Sequence, residues 1–286
     1  MRNISYNIHR KREIKCREHT LRFGEKTIIM GILNVTPDSF SDGGRYVDVD
    51  KAIDHAKKMV EKGADIIDIG GESTRPGATE VDADEELKRV LPIVKRLVKE
   101  VDVAISVDTY KASVAEKVLK AGAHMINDVW GLQRDPLMAE VIAKYDVPVI
   151  IMHNQNNTEY RNDILKEVMG FLNKSIKIAT NAGVNRDKII LDPGIGFGKT
   201  PEQNMHVMSR LGELNDLGCP ILLGTSRKSM IGKILDLPSE KRLEGTLATS
   251  VMGIIQGIDI LRVHDVEENL RASKVTDAIV RGVDNG

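Results

Sequence analysis

The sequence predicts a closed (β/α)8 barrel, a TIM barrel, preceded by a short N-terminal extension. Three observations carry the prediction. Eight short apolar runs of strand character alternate with amphipathic helical patterns along the chain. Eight such units in about 250 residues match the size of a closed barrel of parallel strands joined by right-handed crossovers. Several of the runs, "VAISVDTYK" over 103–111 among them, finish on a polar residue, although the segments before them read as buried.

The strand-like runs fall at 27–33, 64–69, 103–107, 123–126, 147–151, 188–191, 220–223 and 258–263. Between the first pair, "DKAIDHAKKMVEKG" places Ile53, Ala56 and Val60 on one helical face, with Gly63 suited to end the helix. In "DEELKRVLPIVKRLVKE", Leu87, Val90, Leu91, Val94, Leu97 and Val98 follow the three-and-four spacing of a buried face, and Pro92 predicts a kink. "KASVAEKVLKAG" repeats the plan with Val114, Val118 and Gly122. The joints "EKGADIID" and "LKAGAHMIND" share one design: helix end, Gly-Ala, apolar strand, polar tip. An open doubly wound sheet is the competing architecture. No Pro-, Ser- or Gly-rich linker divides the chain, so residues 27–286 read as one barrel domain and residues 1–26 as an extension covering its N-terminal end.

Bulk properties narrow the function. The 286 residues are 41% hydrophobic, enough for a large core, and the net charge of −1 supplies no global field for nucleic acid or an anionic membrane. No run approaches the roughly 18 apolar residues of a membrane helix. The N-terminal 24 residues hold seven Lys/Arg and two Glu without an apolar stretch, which fits a solvated charged face and not a secretory signal. Cys16 and Cys219 match no metal or redox spacing and point to a reducing compartment. A soluble, cytoplasmic protein is expected.

The C-terminal ends of barrel strands meet on one face, where side chains can surround a ligand. Asp108, Asn127, Asp192, Lys228, Arg262 and His264 all fall at or just beyond such ends. Each has a plainer reading: Asp108 or Thr109 would cap a helix over 110–121, and Asp192 before Pro193 suits an Asx-turn. Six equivalent placements favour a shared site. "DPGIGFGKT" (192–200) is neither a dinucleotide fingerprint nor a phosphate-binding P-loop, because its glycines are spaced two and two. They instead let the backbone approach a flat ligand, with Phe197 available to stack. "GILNVTPDSFSDGG" (31–44) and "GGESTRPGATEVDAD" (70–84) read as long, glycine-hinged loops of lid character, the second offering Arg75 to an anion. Arg227, Lys228 and Ser229, followed by Arg262 and His264, place cations where barrels commonly bind phosphate.

Taken in order, "GILNVTPDSFSDGG", "GGESTRPGA", "SVDTYK", "GAHMINDVWG", "LDPGIGFGKT", "GTSRKS" and "RVHDV" resemble the successive motifs of the dihydropteroate synthase family across nearly the whole chain. The resemblance implies a TIM barrel, usually a homodimer. It also implies condensation of 6-hydroxymethyl-7,8-dihydropterin diphosphate with 4-aminobenzoate to 7,8-dihydropteroate and diphosphate, in folate biosynthesis. Sulfonamides compete for the aminobenzoate site of such enzymes. By motif, Asp108, Asn127, Asp192 and Lys228 would form the pterin pocket, with Met152 and Phe197 as apolar walls. Asn34 would contact Mg2+, while Thr74, Arg262 and His264 would hold the diphosphate. Ser229 and the two loops, with Phe40 and Arg75, would complete the aminobenzoate site. Met230 and Gln155 stand where the family pattern leads one to expect an aromatic residue and Arg. Two alternatives stay open: a folate-dependent methyltransferase barrel serving a corrinoid partner, and a non-catalytic pterin-binding paralogue.

Overall fold

The computed structural model describes residues 12–35, 45–73 and 80–282. Strands β1 (Arg12–Cys16) and β2 (His19–Phe23) pair as an antiparallel hairpin. Alternation decides its packing, since the charged residues face outward while Ile14, Cys16, Leu21 and Phe23 are buried. These four pack against Met30, Ile66, Ala104, Met125 and Ile150, from the N-terminal halves of strands that follow. Arg17 takes a left-handed conformation at the hairpin tip and donates to Leu119 O (2.7 Å) and Ala123 O (2.9 Å).

Eight parallel strands follow: β3 (Ile28–Asn34), β4 (Ile66–Gly70), β5 (Ala104–Asp108), β6 (Met125–Asp128), β7 (Val149–Met152), β8 (Ile189–Asp192), β9 (Leu222–Leu223) and β10 (Ile260–Val263). They run β8-β7-β6-β5-β4-β3-β10-β9. A parallel bridge, Leu191 with Ile221, and the bond from Leu191 N to Pro220 O (2.9 Å) join the two ends. The sheet therefore closes, and the open doubly wound alternative falls. Outside it lie α1 (Arg45–Glu61), α2 (Ala83–Glu100), α3 (Ala112–Lys120), α4 (Met138–Tyr145), α5 (Ile164–Asn181), α6 (Pro201–Ser209), α7 (Ser229–Leu235), α8 (Leu243–Ile255) and α9 (Val266–Val280). Among the described residues no helix is long and apolar enough to cross a membrane.

Two local expectations need correction. Strands begin one or two residues later than the apolar runs suggest, and six of the eight also end one or two later, because the Gly-Ala joints are turns and the polar tips pair within the sheet. Neither Asp108 nor Thr109 caps α3. That helix starts at Ala112, whose N–H donates to Asp135 Oδ2 (2.8 Å). Helix α2 runs through Pro92 as one element, capped by Asp82 on the N–H of Glu85 (2.7 Å). Pro92 is exposed, so the Lys88 carbonyl that it cannot serve lies on the water side.

Candidate active site

Parallel register sets the site. Asn34, Gly70, Asp108 and Asn127 are successive partners across β3, β4, β5 and β6, forming one tier at the C-terminal mouth. Asp192 pairs with Met152 between β8 and β7. Side chains alternate along a strand, so each of these shares a face with the apolar residues filling the other end of the barrel. Asp108 continues the row of Ala104, and Asn127 that of Met125. Buried runs end on acids here because the same inward row passes from core to mouth.

Below the tier lies an acid that the sequence reading did not single out. Asp68, fully buried in β4, accepts from Arg262 Nε (2.7 Å) and from Asn127 Nδ2 (3.1 Å). Arg262 Nη2 also donates to Asp108 Oδ2 (3.0 Å). The guanidinium is thus held between two buried carboxylates. Asp68 Oδ1, Asp108 Oδ1 and Ser106 Oγ have no hydrogen-bond partner among the described residues. Buried polar atoms of this kind are uncommon in native interiors and mark a place built to hydrogen-bond something else. Burial lifts Asp108 above the usual carboxylate range, against the pull of Arg262.

Asp192 serves two purposes. Its Oδ1 accepts the N–H of Gly194 (2.7 Å), the Asx-turn, while Lys228 and Arg262 stand close enough to act on its charge. Burial pushes its carboxyl up to about 6, with the Gly194 bond and those cations opposing. The loop beyond it turns on Gly194 and Gly196, both at positive φ (67° and 84°). A Cβ on Gly194 would stand 1.9 Å from His153 O. Phe197 joins Met152, Tyr110, Val129 and Trp130 in an apolar cluster, and Lys228 Nζ lies 4.1 Å from its ring centroid. Lys228 closes the opposite side as N-cap of α7, and exposed Ser229 follows it.

Other expected residues are spread round the rim. Asn34 is exposed at the end of β3, its Oδ1 next to Gly70. His264, just past β10, meets Ser226 Oγ through Nδ1 (2.9 Å). Arg227 does not join a free cationic cluster: it forms a two-point ion pair with Asp265 and ties the β9 loop to the β10 loop. Met230 packs in the core, and Gln155 spans the backbone of Asn157 and Gly198. Phe40, Thr74 and Arg75 lie outside the described residues, as do residues 36–44 and 74–79 of the two proposed lids.

Three further groups escaped the sequence reading. Lys111 bridges buried Glu86 and Glu72, and Tyr110 Oη donates to Glu72 Oε1 (3.1 Å). Of these, Glu72 and Tyr110 border a cavity of about 350 Å3 shared with Trp130, Arg134 and Phe197. Lys199, from the apparent phosphate motif, is buried and turned inward, while Thr200 forms the capping box of α6 with Gln203. At the far end of the barrel, Glu18, His19 and His124 come within metal-ligating distance. There the N–H of Ile105 donates to His124 Nδ1 (2.9 Å), so the neutral ring carries its proton on Nε2 and hands it to Glu18 (3.1 Å). That cluster is a hydrogen-bonded latch for the hairpin.

Residues 30–264 match the family model described as "Pterin binding enzyme". The dihydropteroate synthase of Clostridium beijerinckii is 58% identical over 259 residues, covering 90% of this chain and 96% of the relative. The chain belongs to the dihydropteroate synthase family. Among solved members of that family, the enzyme of Clostridium difficile, crystallised with pteroic acid, superposes with a TM-score of 0.89 at 62% identity, over 90% of this chain and 98% of its own. The Xanthomonas albilineans dihydropteroate synthase with 4-aminobenzoic acid superposes with a TM-score of 0.90 at 41% identity, over 94% and 98%. The dihydropteroate synthase scaffold explains why inward acids of β4, β5 and β8, an inward Asn of β6 and an inward Arg of β10 occupy a single mouth.

Proposed function

We propose that this chain condenses 6-hydroxymethyl-7,8-dihydropterin diphosphate with 4-aminobenzoate, giving 7,8-dihydropteroate and diphosphate for folate biosynthesis. One observation carries the reading: unpartnered buried oxygens of Asp68 and Asp108 sit beside Asn127 and Arg262 in the mouth of a dihydropteroate synthase barrel. The aminopyrimidinone edge of a pterin is rich in donors. Asp192 accepts two N–H bonds from it, with Oδ2 and the second lone pair of Oδ1. Asn127 offers one donor and one acceptor, Lys228 donates to the ring carbonyl and nitrogen, and Asp108 Oδ1 takes the N–H of the reduced ring. Met152 and Phe197 supply apolar walls. A pocket of buried hydrogen bonds rejects analogues strongly, because a mismatch strands polar groups.

Chemistry follows from charge. The bond from the exocyclic methylene to the diphosphate oxygen breaks, and the electron-rich dihydropterin delocalises the cation left behind. Asp108 and Asp192 hold negative potential beside it, while Arg262, His264 and Thr74 take the charge of the departing diphosphate. The arylamine nitrogen, seated by Ser229, Phe40 and Arg75, forms the new C–N bond and releases its proton. Closure of the loops that carry Phe40 and Arg75 excludes water that would trap the cation. Asn34 fits Mg2+ as a single hard oxygen donor at the rim, since this ion commonly takes its other ligands from water and substrate phosphate. Bound there, Mg2+ supplies further neutralisation of the diphosphate.

The division into an extension of residues 1–26 and a barrel of 27–286, a cytoplasmic location and a homodimer belong to the same proposal. Exposed Ile234, Leu235, Met252, Val275 and Ile279 on α7, α8 and α9 support a self-association face, which sedimentation analysis reads directly. Single-turnover release of diphosphate in the presence of 4-aminobenzoate tests the reaction. A methyltransferase barrel gives none, and a non-catalytic paralogue binds pterin without turnover.

A further inference from the structure

The segment "GIGFGKT" turns sharply three times, at Gly194, Gly196 and Gly198, all with positive φ. Such a loop has little of its own to hold it, because glycine backbone is freer than any other when unfolded. Asp192 Oδ1 and Asn204 Oδ1 accept the N–H groups of Gly194 and Gly196, Tyr160 Oη donates to Gly198 O, and Lys199 ties the loop from beneath. Its side chain folds back beneath the loop, 8% exposed, and Nζ reaches His153 Nδ1 (2.8 Å), Gly194 O (2.9 Å) and Phe197 O (3.1 Å). An ammonium has three N–H groups, and here each has one acceptor. The three acceptors come from the end of β7, the start of the loop and the residue whose ring faces Lys228.

We propose that Lys199 is a positioning residue of the condensation: its ammonium clasps the 194–198 loop and so fixes Phe197 against Lys228 in the wall of the pterin pocket. The inference rests on the function proposed above only in naming the substrate affected. No contact with substrate is required of Lys199. Its effect travels through the Phe197 carbonyl to the ring, and from the ring to Lys228 and neighbouring Ser229.

The clasp is also sensitive to protonation. Burial brings the Lys199 ammonium down to about 7, with Asp192 opposing the fall and Lys228 adding to it. Four titratable groups surround it: neutral His153 just beyond β7, Tyr160 stacked on that ring, Asp192 on β8 and Lys228 at the start of α7. Loss of one proton leaves two N–H groups for three acceptors.

The test compares Lys199→Met, without donors, and Lys199→Gln, with two, against the unaltered protein. The first readout is amide hydrogen exchange of residues 194–198 without substrate, which does not depend on the reaction. Exchange there should quicken in the order wild type, Gln, Met, reaching about tenfold for Met, while β3–β6 stay protected. In turnover, the KM for the pterin substrate should rise about tenfold in Lys199→Met, against less than about threefold for 4-aminobenzoate. The wild-type rise of the pterin KM above pH 7 should vanish in the Met variant. If Lys199→Met does not fold, Lys199→Gln carries the same comparison. Unchanged exchange at 194–198 overturns the proposal, as does uniform quickening across the barrel with both KM values and kcat moving together. Absence of synthase activity in the unaltered protein would instead strike the function proposed above and leave the exchange result standing.

Discussion

Asp68→Asn isolates the arrangement beneath the pocket. The substitution keeps shape and removes charge at a fully buried position that accepts from Arg262 Nε at 2.7 Å and Asn127 Nδ2 at 3.1 Å. Both bonds end on Oδ2, so a carboxamide oxygen placed there still accepts both, but as a neutral acceptor, while its NH2 takes the position of Oδ1. Hydrogen bonds to charged groups contribute about 1.5–3 kcal/mol, and neutralising Asp68 removes that charge assistance from the Arg262 bond. Removing a partner from a buried ion pair costs about 3–5 kcal/mol when the remaining charge is stranded, but Arg262 keeps Asp108, so the lower range applies. We expect a stability loss of about 2–3 kcal/mol, read by calorimetry as a fall in Tm of roughly 4–10 °C for a domain of this size. Asn127 and Arg262 share the weakened acceptor, so pterin affinity measured by titration calorimetry should fall at least about tenfold. A variant melting with the wild type and binding pterin equally well would refute the reasoning. It would mean that Asp108 alone orients Arg262.

Three further outcomes are expected. Asp192→Asn should weaken pterin binding by about 2–4 kcal/mol in the same titration, since one acceptor of the aminopyrimidinone edge becomes a donor. Asp192 accepts those bonds as a carboxylate, and its carboxyl sits at about 6. Pterin affinity should therefore fall about tenfold for each unit below that pH; binding that is flat between pH 7 and pH 4.5 would remove Asp192 from the pocket. Arg17→Ala deletes both bonds from the hairpin tip to the end of α3 and should cost about 1–3 kcal/mol in denaturant unfolding, with pterin affinity unchanged.

Most of the barrel was legible because strict alternation of apolar runs and helical faces leaves few architectures. The tips Asp108, Asn127 and Asp192 were legible because an acid or amide at the end of an apolar run is conspicuous. Asp68 was not, although it stands in phase with Ile66 and Gly70. An acid in mid-strand looks like an interruption until the partner Arg262 arrives from the opposite end of the chain, a contact no local pattern encodes. Lys199 was hidden by its neighbours: glycines before a Lys-Thr pair suggest phosphate, whereas the lysine points inward to carbonyls. The hairpin was masked by charge. Its basic residues alternate with Ile14, Cys16, Leu21 and Phe23, and counting charge alone loses that phase. Loop composition announced the segments of Phe40 and Arg75 without indicating what they touch.

The main-chain turn at Gly194 bears on how this enzyme can escape an inhibitor. With φ at 67° and a β-carbon position already occupied by the His153 carbonyl, every replacement collides with backbone, not with a side chain that could swing aside. Resistance arises where residues can be exchanged at small cost to folding. A compound that drew its contacts from the peptide groups of 193–196 would face a surface that codon changes at Gly194 cannot reshape without losing the protein.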